Sequence, residues 1–146
     1  IPLIVDDGPT TGGIESTIVA LGDSPRLLRP GPIPAETIER EIGRWLAGGS
    51  DKIEAPGQLA SHYAPAKPLR LDATERRAGE WLIGFGSVAG DDSLSVTGDL
   101  IEAAARLFDA LHNADASDLA AIAVAPIPGE GIGIAINDRL RRAAHR

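Results

Sequence analysis

The chain has 146 residues, 43% of them hydrophobic but only 3% aromatic, with a formal charge of −7. That is enough apolar material for one ordinary domain or two small ones around an aliphatic core, and no apolar run approaches the ~18 residues that cross a membrane. The acidic balance argues against a nucleic-acid surface, which needs clustered cations, and the absence of cysteine excludes disulfides, thiolate catalysis and Cys-ligated zinc within this chain. The one basic cluster, Arg139, Arg141, Arg142 and Arg146, reads as a solvated helix end that compensates the helix dipole. Ile1 is not a start methionine and no targeting segment is legible after it. The abrupt apolar start reads as a chain cut from something longer.

In chain order, Pro2-Leu3-Ile4-Val5 reads as a short strand that ends in a turn at Asp6-Asp7-Gly8-Pro9. Residues 14–21 form a β-branched run typical of a strand, and Gly22-Asp23-Ser24-Pro25 is a turn. Arg26-Leu27-Leu28-Arg29 reads as the next strand, closed by Pro30-Gly31-Pro32. A helix then begins at Pro34, with Ile38, Ile42, Trp45 and Leu46 on one face and Gly48-Gly49 as its end. Pro56, Gly57, Pro65 and Pro68 make residues 50–68 an extended connector, since proline fixes φ and removes a donor. Beyond it, strands are predicted at 69–71, 81–85 and 119–124, with a short helix at 73–80. A helix over 99–113 has Asp99 as cap and Glu102 at capping-box spacing. Residues 129–133 open a last helix with Ile136 and Leu140 inward and the arginines outward. Alternating strands and helices from residue 69 predict a small parallel α/β layer. The chain thus reads as two units, divided at the connector.

Several segments have the right chemistry for a site, and each has a plainer reading beside it. Gly12-Gly13-Ile14-Glu15-Ser16-Thr17 offers backbone N–H groups and hydroxyls to phosphate or carboxylate oxygens, or it is a strand with a polar face. Arg29, held by Pro30-Gly31, is a phosphate clamp or one half of a surface salt bridge. His62-Tyr63 in the connector is a functional pair or an anchor that pins a linker to a neighbouring surface. The loop 125–133 sits where open α/β sheets bind ligands, yet it lacks the acidic residue of a dinucleotide fingerprint and reads better as a close-packed turn. Asn137-Asp138-Arg139 reads as surface ion pairing along a helix, and His112 as a complement to its helix dipole. No histidine pair has metal-ligand spacing, so no metal site is expected.

Taken in order, Gly13-Ile14-Glu15-Ser16-Thr17-Ile18-Val19, Leu28-Arg29-Pro30-Gly31, Pro56-Gly57 with His62-Tyr63-Ala64-Pro65, and Ala135-Ile136-Asn137-Asp138-Arg139-Leu140 resemble the long form of the threonylcarbamoyl-AMP synthase family. The resemblance implies an α/β fold: a Rossmann-like, three-layer C-terminal domain with a mainly parallel sheet over residues 69–146. A linker or lid over 50–68 and the α+β tail of a YrdC-like catalytic domain over 1–49 precede it. It implies a nucleotidyltransferase that makes threonylcarbamoyl-AMP and pyrophosphate from L-threonine, bicarbonate and ATP, usually with Mg²⁺, for the t6A modification of tRNA.

By position, the resemblance implies that Ser16 and Thr17 face the substrate pocket, that Arg29 contacts ATP phosphates, and that His62 and Tyr63 close the pocket as a lid. The family's upstream Lys-x-Arg and Ser-x-Asn motifs do not occur here, so the chain by itself is expected to be inactive. Partnership with other threonylcarbamoyl-transfer proteins, a cytoplasmic location, no direct nucleic-acid contact and no membrane contact complete the expectation. The alternative is a non-catalytic regulatory module that binds a small ligand at the loops of residues 69–146.

Overall fold

A computed structural model describes residues 12–48, 53–57 and 64–145, together with Leu3, Gly8 and Thr10. Apart from Leu3, the strand expected at 2–5 lies outside the described residues, as does the His62-Tyr63 pair. The first elements are β1 (Ile18–Ala20), β2 (Arg26–Arg29) and α1 (Ala35–Ile42). β1 and β2 pair antiparallel, with Ile18 opposite Arg29 and Ala20 opposite Arg26. The strand predicted from residue 14 begins only at Ile18, because the Ile14 N–H turns back to the Gly12 carbonyl (2.7 Å) and its side chain is buried elsewhere.

Helix α1 also ends earlier than expected. It closes at Gly43, left-handed with φ 66°, where the predicted end was Gly48-Gly49. The Glu39 carboxylate then accepts the Leu46 N–H (2.8 Å), and Ala47 bridges back to Arg26 beside β2. Trp45 therefore leaves the helix 85% exposed, and none of α1 is buried among the described residues.

The second sheet contains β3 (Leu69–Arg70), β4 (Glu80–Gly84), β5 (Asp92–Ser93) and, after helix α2 (Leu100–Ala116), β6 (Ala121–Val124). Helix α3 (Gly133–Ala144) follows. The four strands run parallel in the order β3-β6-β4-β5, with Glu80 opposite Ala121 and Leu69 opposite Ile122. β5 had no sequence signal, since Asp92-Ser93 is polar and only two residues long. Helices α2 and α3 touch each other and the sheet, so both cover one face. Ile83, Ile122 and Val124 point into that layer against Leu107, Ile136 and Leu140. Leu82 and Ala123 alternate to the other face, where Ala73 covers them. Covering on both faces explains why β4 and β6 read as continuous apolar runs.

That second covering layer is the segment predicted as a helix at 73–80; it has no helix and is made of turns. Its backbone is committed elsewhere, since the Ala73 N–H donates to the Val124 carbonyl (2.9 Å) and the Arg77 N–H to the Glu80 carboxylate (3.0 Å). Arg70 grips the same carboxylate through two bonds, Nε to Oε1 at 2.8 Å and Nη2 to Oε2 at 2.6 Å. The Arg70 guanidinium holds the Glu80 carboxyl down at about 2.

Helix α2 begins as the sequence predicts. The Asp99 carboxylate accepts the N–H groups of Ile101 and Glu102, at 2.7 and 3.0 Å. The capping box is closed through Ser95, whose Oγ accepts the Asp99 N–H (3.0 Å) and donates to Glu102 Oε2 (2.5 Å). The other end differs from expectation. His112 lies outside the last turn, and the cation at the carboxyl end is Lys67, whose Nζ donates to the carbonyls of Ala114 (3.0 Å) and Ser117.

Candidate functional site

The backbone of residues 13–17 runs from helix α2 to the turn after β2, and its composition follows from what it touches. Gly13 has φ 62°, and a Cβ there would lie 2.1 Å from the Ala104 carbonyl oxygen, so only glycine lets the chain rest on α2. Ile14, 8% exposed, joins the core formed by α2, α3 and the four-stranded sheet. Glu15 follows, and its Oε2 accepts from Arg139 Nε of α3 at 2.9 Å.

Ser16 and Arg29 come together. Arg29 Nε donates to the Ser16 carbonyl (3.1 Å) and Nη2 to the Ser16 hydroxyl (3.4 Å), while Nη1 donates to the Pro56 carbonyl (3.3 Å). The guanidinium is buried, with Arg29 8% exposed, whereas Ser16 is exposed. Neither sequence reading of Arg29 anticipated this. It makes no salt bridge among the described residues and is a buried cation held by neutral oxygens.

Thr17 stands beside the pair, and its hydroxyl is already committed. It donates to the Ile33 carbonyl (2.8 Å) and accepts the Ile33 N–H (3.2 Å). The turn it holds passes close by. A Cβ on Gly31 would sit 2.3 Å from the Thr17 nitrogen, so glycine is required at that crossing.

The connector is fastened on both sides of residues 58–63. Pro56 is held by Arg29. Past residue 63, Asp115 accepts the N–H groups of Ala66 and Lys67, each at 3.1 Å. Where the connector returns, a cleft of about 530 Å³ opens between Glu15, Ala64 and Pro65 on one side and Phe108, His112 and Asp115 of α2 on the other. A second cleft of about 230 Å³ lies past the carboxyl ends of β3 and β6, lined by Asp72, Ala125, Asn137 and Arg141. No group of three or more His, Asp or Glu among the described residues is arranged to hold a metal ion, and no helix among them is long and apolar enough to cross a membrane.

The reading of Asn137-Asp138-Arg139 as surface ion pairing is corrected for its arginine. Arg139 has no exposed surface and is the largest fully buried side chain among the described residues. Its Nη1 donates to Asp138 Oδ2 at 2.8 Å, and Asp138 also accepts from Arg142 Nε at 3.2 Å. The signal was present in the sequence, because Arg139 falls on the stripe of Ala135, Ile136, Leu140 and Ala143, all buried. Glu15 carried no such signal; its partner is 124 residues away. Of the glycines in the loop 129–133 only Gly133 is close-packed, on the Pro128 carbonyl, while Gly129 and Gly131 are exposed with open space around them.

The family model described as "Threonylcarbamoyl-AMP synthase, C-terminal domain" matches residues 33–145. The threonylcarbamoyl-AMP synthase of Pyrococcus abyssi is 34% identical over 169 residues, covering 99% of this chain and 49% of its own length. That of Bacillus subtilis is 33% identical over 171 residues, covering 97% and 48%. The crystal structure of P. abyssi Sua5 complexed with L-threonine superposes with a TM-score of 0.79 at 31% identity, covering 95% of this chain and 48% of that one. The chain thus spans about half the length of the curated relatives it matches, and it belongs to the threonylcarbamoyl-AMP synthase C-terminal domain family.

Proposed function

We propose that this chain is the C-terminal portion of a threonylcarbamoyl-AMP synthase. The parent enzyme joins L-threonine, bicarbonate and ATP into threonylcarbamoyl-AMP, releases pyrophosphate, and supplies the t6A modification of tRNA in the cytoplasm. On this reading residues 1–49 are the tail of the catalytic domain, 50–68 the linker and 69–146 a Rossmann-like domain. The relative solved with L-threonine bound supports threonine as a substrate.

The observation that carries the proposal is the Ser16–Arg29 pair. Among the described residues the Arg29 guanidinium is met only by neutral acceptors, and a buried cation held in this way favours an anion at the adjoining surface. Ser16 accepts from Arg29, so its own proton remains to be donated outward, toward a carboxylate or phosphate oxygen. Together they suit the negative charge that develops as pyrophosphate leaves. Thr17 contributes by holding the turn before α1, which shapes the rim.

His62 and Tyr63 act as the lid, excluding water from a labile carbamate. This is supported by the anchoring of the connector at Pro56 and again at residues 66–67. Mg²⁺ would complement the phosphates, but the described residues supply it no cage. The carboxylate next to Ser16 is Glu15, and it is taken by Arg139. No step is therefore assigned to the metal.

The test is threonine-dependent pyrophosphate release. The chain by itself is expected to be inactive, and ATP–pyrophosphate exchange by it alone would refute that. A second reading is favoured by the 230 Å³ cleft, where Asp72 and Arg141 present opposite charges past the ends of parallel strands. There, residues 69–146 would bind a small ligand as a regulatory module. Titration with L-threonine and ATP, following the Asn137 side-chain amide by NMR, separates the two, since a saturable shift there belongs only to the second.

A further inference from the structure

We infer that Arg139 is a positioning residue for the Ser16–Arg29 edge, acting through Glu15; as a statement about catalysis this rests on the reading of that edge as the substrate rim. A fully buried guanidinium is costly unless its charge is met. Here Glu15 and Asp138 meet it, at 2.9 and 2.8 Å, and Arg142 shares Asp138, so two acids balance two bases. Asp138 keeps a partner without Arg139. Glu15 is the acid that this guanidinium recruits from across the chain, and its side chain is 35% exposed.

The position of Glu15 gives this contact its meaning. Gly13 and Ile14 pin the backbone on α2, and Ser16, one residue beyond Glu15, receives the Arg29 fork. Arg139 closes the interval between these two anchors from α3. The same Arg29 holds Pro56, so a side chain of α3 is linked through Glu15, Ser16 and Arg29 to the start of the connector. The unit of residues 69–146 thereby has a task that needs no catalytic group of its own: it holds the orientation of the substrate strand and of the connector's root.

The 146-residue chain tests this by NMR, through hydrogen exchange of the Arg29 Nε–H, with the buried Ala125 amide as an internal control. Arg139→Gln and Glu15→Gln should each speed Arg29 exchange about tenfold and leave Ala125 unchanged, and Arg139→Lys should restore part of the protection. The double variant should be no worse than either single one. Glu15→Gln approaches the contact from its half-exposed side, so it keeps the test decisive if Arg139→Gln fails to fold. Unchanged Arg29 exchange in Glu15→Gln, or a change equal to that at Ala125, would overturn the proposal. In a parent-length enzyme bearing the same substitutions, KM for L-threonine should rise more than kcat falls. Exchange that responds while KM does not would keep the clamp and refute the substrate reading of Ser16.

Discussion

Replacing Glu80 by glutamine should destabilise the chain near neutral pH, and the loss should vanish on acidification. Arg70 grips this carboxylate through two bonds and the Arg77 N–H adds a third. The guanidinium hydrogen bonds are the main reason the carboxyl falls from 4.5 to about 2. At about 1.4 kcal/mol per tenfold, that difference amounts to roughly 3 kcal/mol at full strength. Arg70 is partly open to water, with a quarter of its side chain exposed, and screening reduces the expected value to about 1–2 kcal/mol. Because the folded value is the lower one, the stabilisation is complete above about pH 4.5 and is lost as pH falls toward about 2.

The assay is urea unfolding of wild type and Glu80→Gln, followed by Trp81 fluorescence in a Trp45→Phe background. Trp45 is 85% exposed, so its removal leaves the packed region intact. The two proteins should differ fully at about pH 6, keep about a quarter of that difference at about pH 2.5, and converge only below about pH 2. A difference that stays constant down to about pH 2 would show that the carboxyl is not lowered in the folded protein, and the reasoning from the Arg70 grip would fail.

Other substitutions probe other links. Asp99→Ala removes the acceptor for two amide protons at the start of α2 and should cost about 1 kcal/mol by urea denaturation. Gly13→Ala forces a side chain into the α2 backbone at φ 62°. It should cost at least about 2 kcal/mol or release residues 13–17, read as faster proteolysis there. Leu107→Ala empties the centre of the helix–sheet layer and should cost about 2–5 kcal/mol, seen as a lower midpoint with the same far-UV spectrum.

The legible parts of this fold are those governed by local chemistry. Asp99 and Glu102 marked the start of α2, and the continuous apolar runs of β4 and β6 marked strands. The illegible parts depend on partners far along the chain. Ile14 looked like strand because its β-branched neighbours do, but Gly13 turns it into a core that residues 82–140 build. Residues 73–80 carried helix-compatible side chains, yet Val124 and Glu80 take the backbone N–H groups of Ala73 and Arg77. Trp45 lay on a helical stripe that Gly43 interrupts.

At the candidate site, the motif order drew attention to Ser16, Thr17 and Arg29. It could not reveal that Arg29 is buried among carbonyls, that Thr17 is committed to Ile33, or that Glu15 meets Arg139 across 124 residues. Such pairings have no short-range signature. An arginine on an apolar stripe was the one available clue.

The central claim is tested most directly by threonine-dependent pyrophosphate release, measured for this chain alone and for a protein in which the upstream half of the P. abyssi relative precedes it. The account expects no turnover from the chain alone. It expects turnover from the joined protein that drops by about a hundredfold with Arg29→Gln, as for the loss of one charged donor to a developing anion. Turnover by the chain alone, or a joined enzyme indifferent to Arg29→Gln, would contradict it.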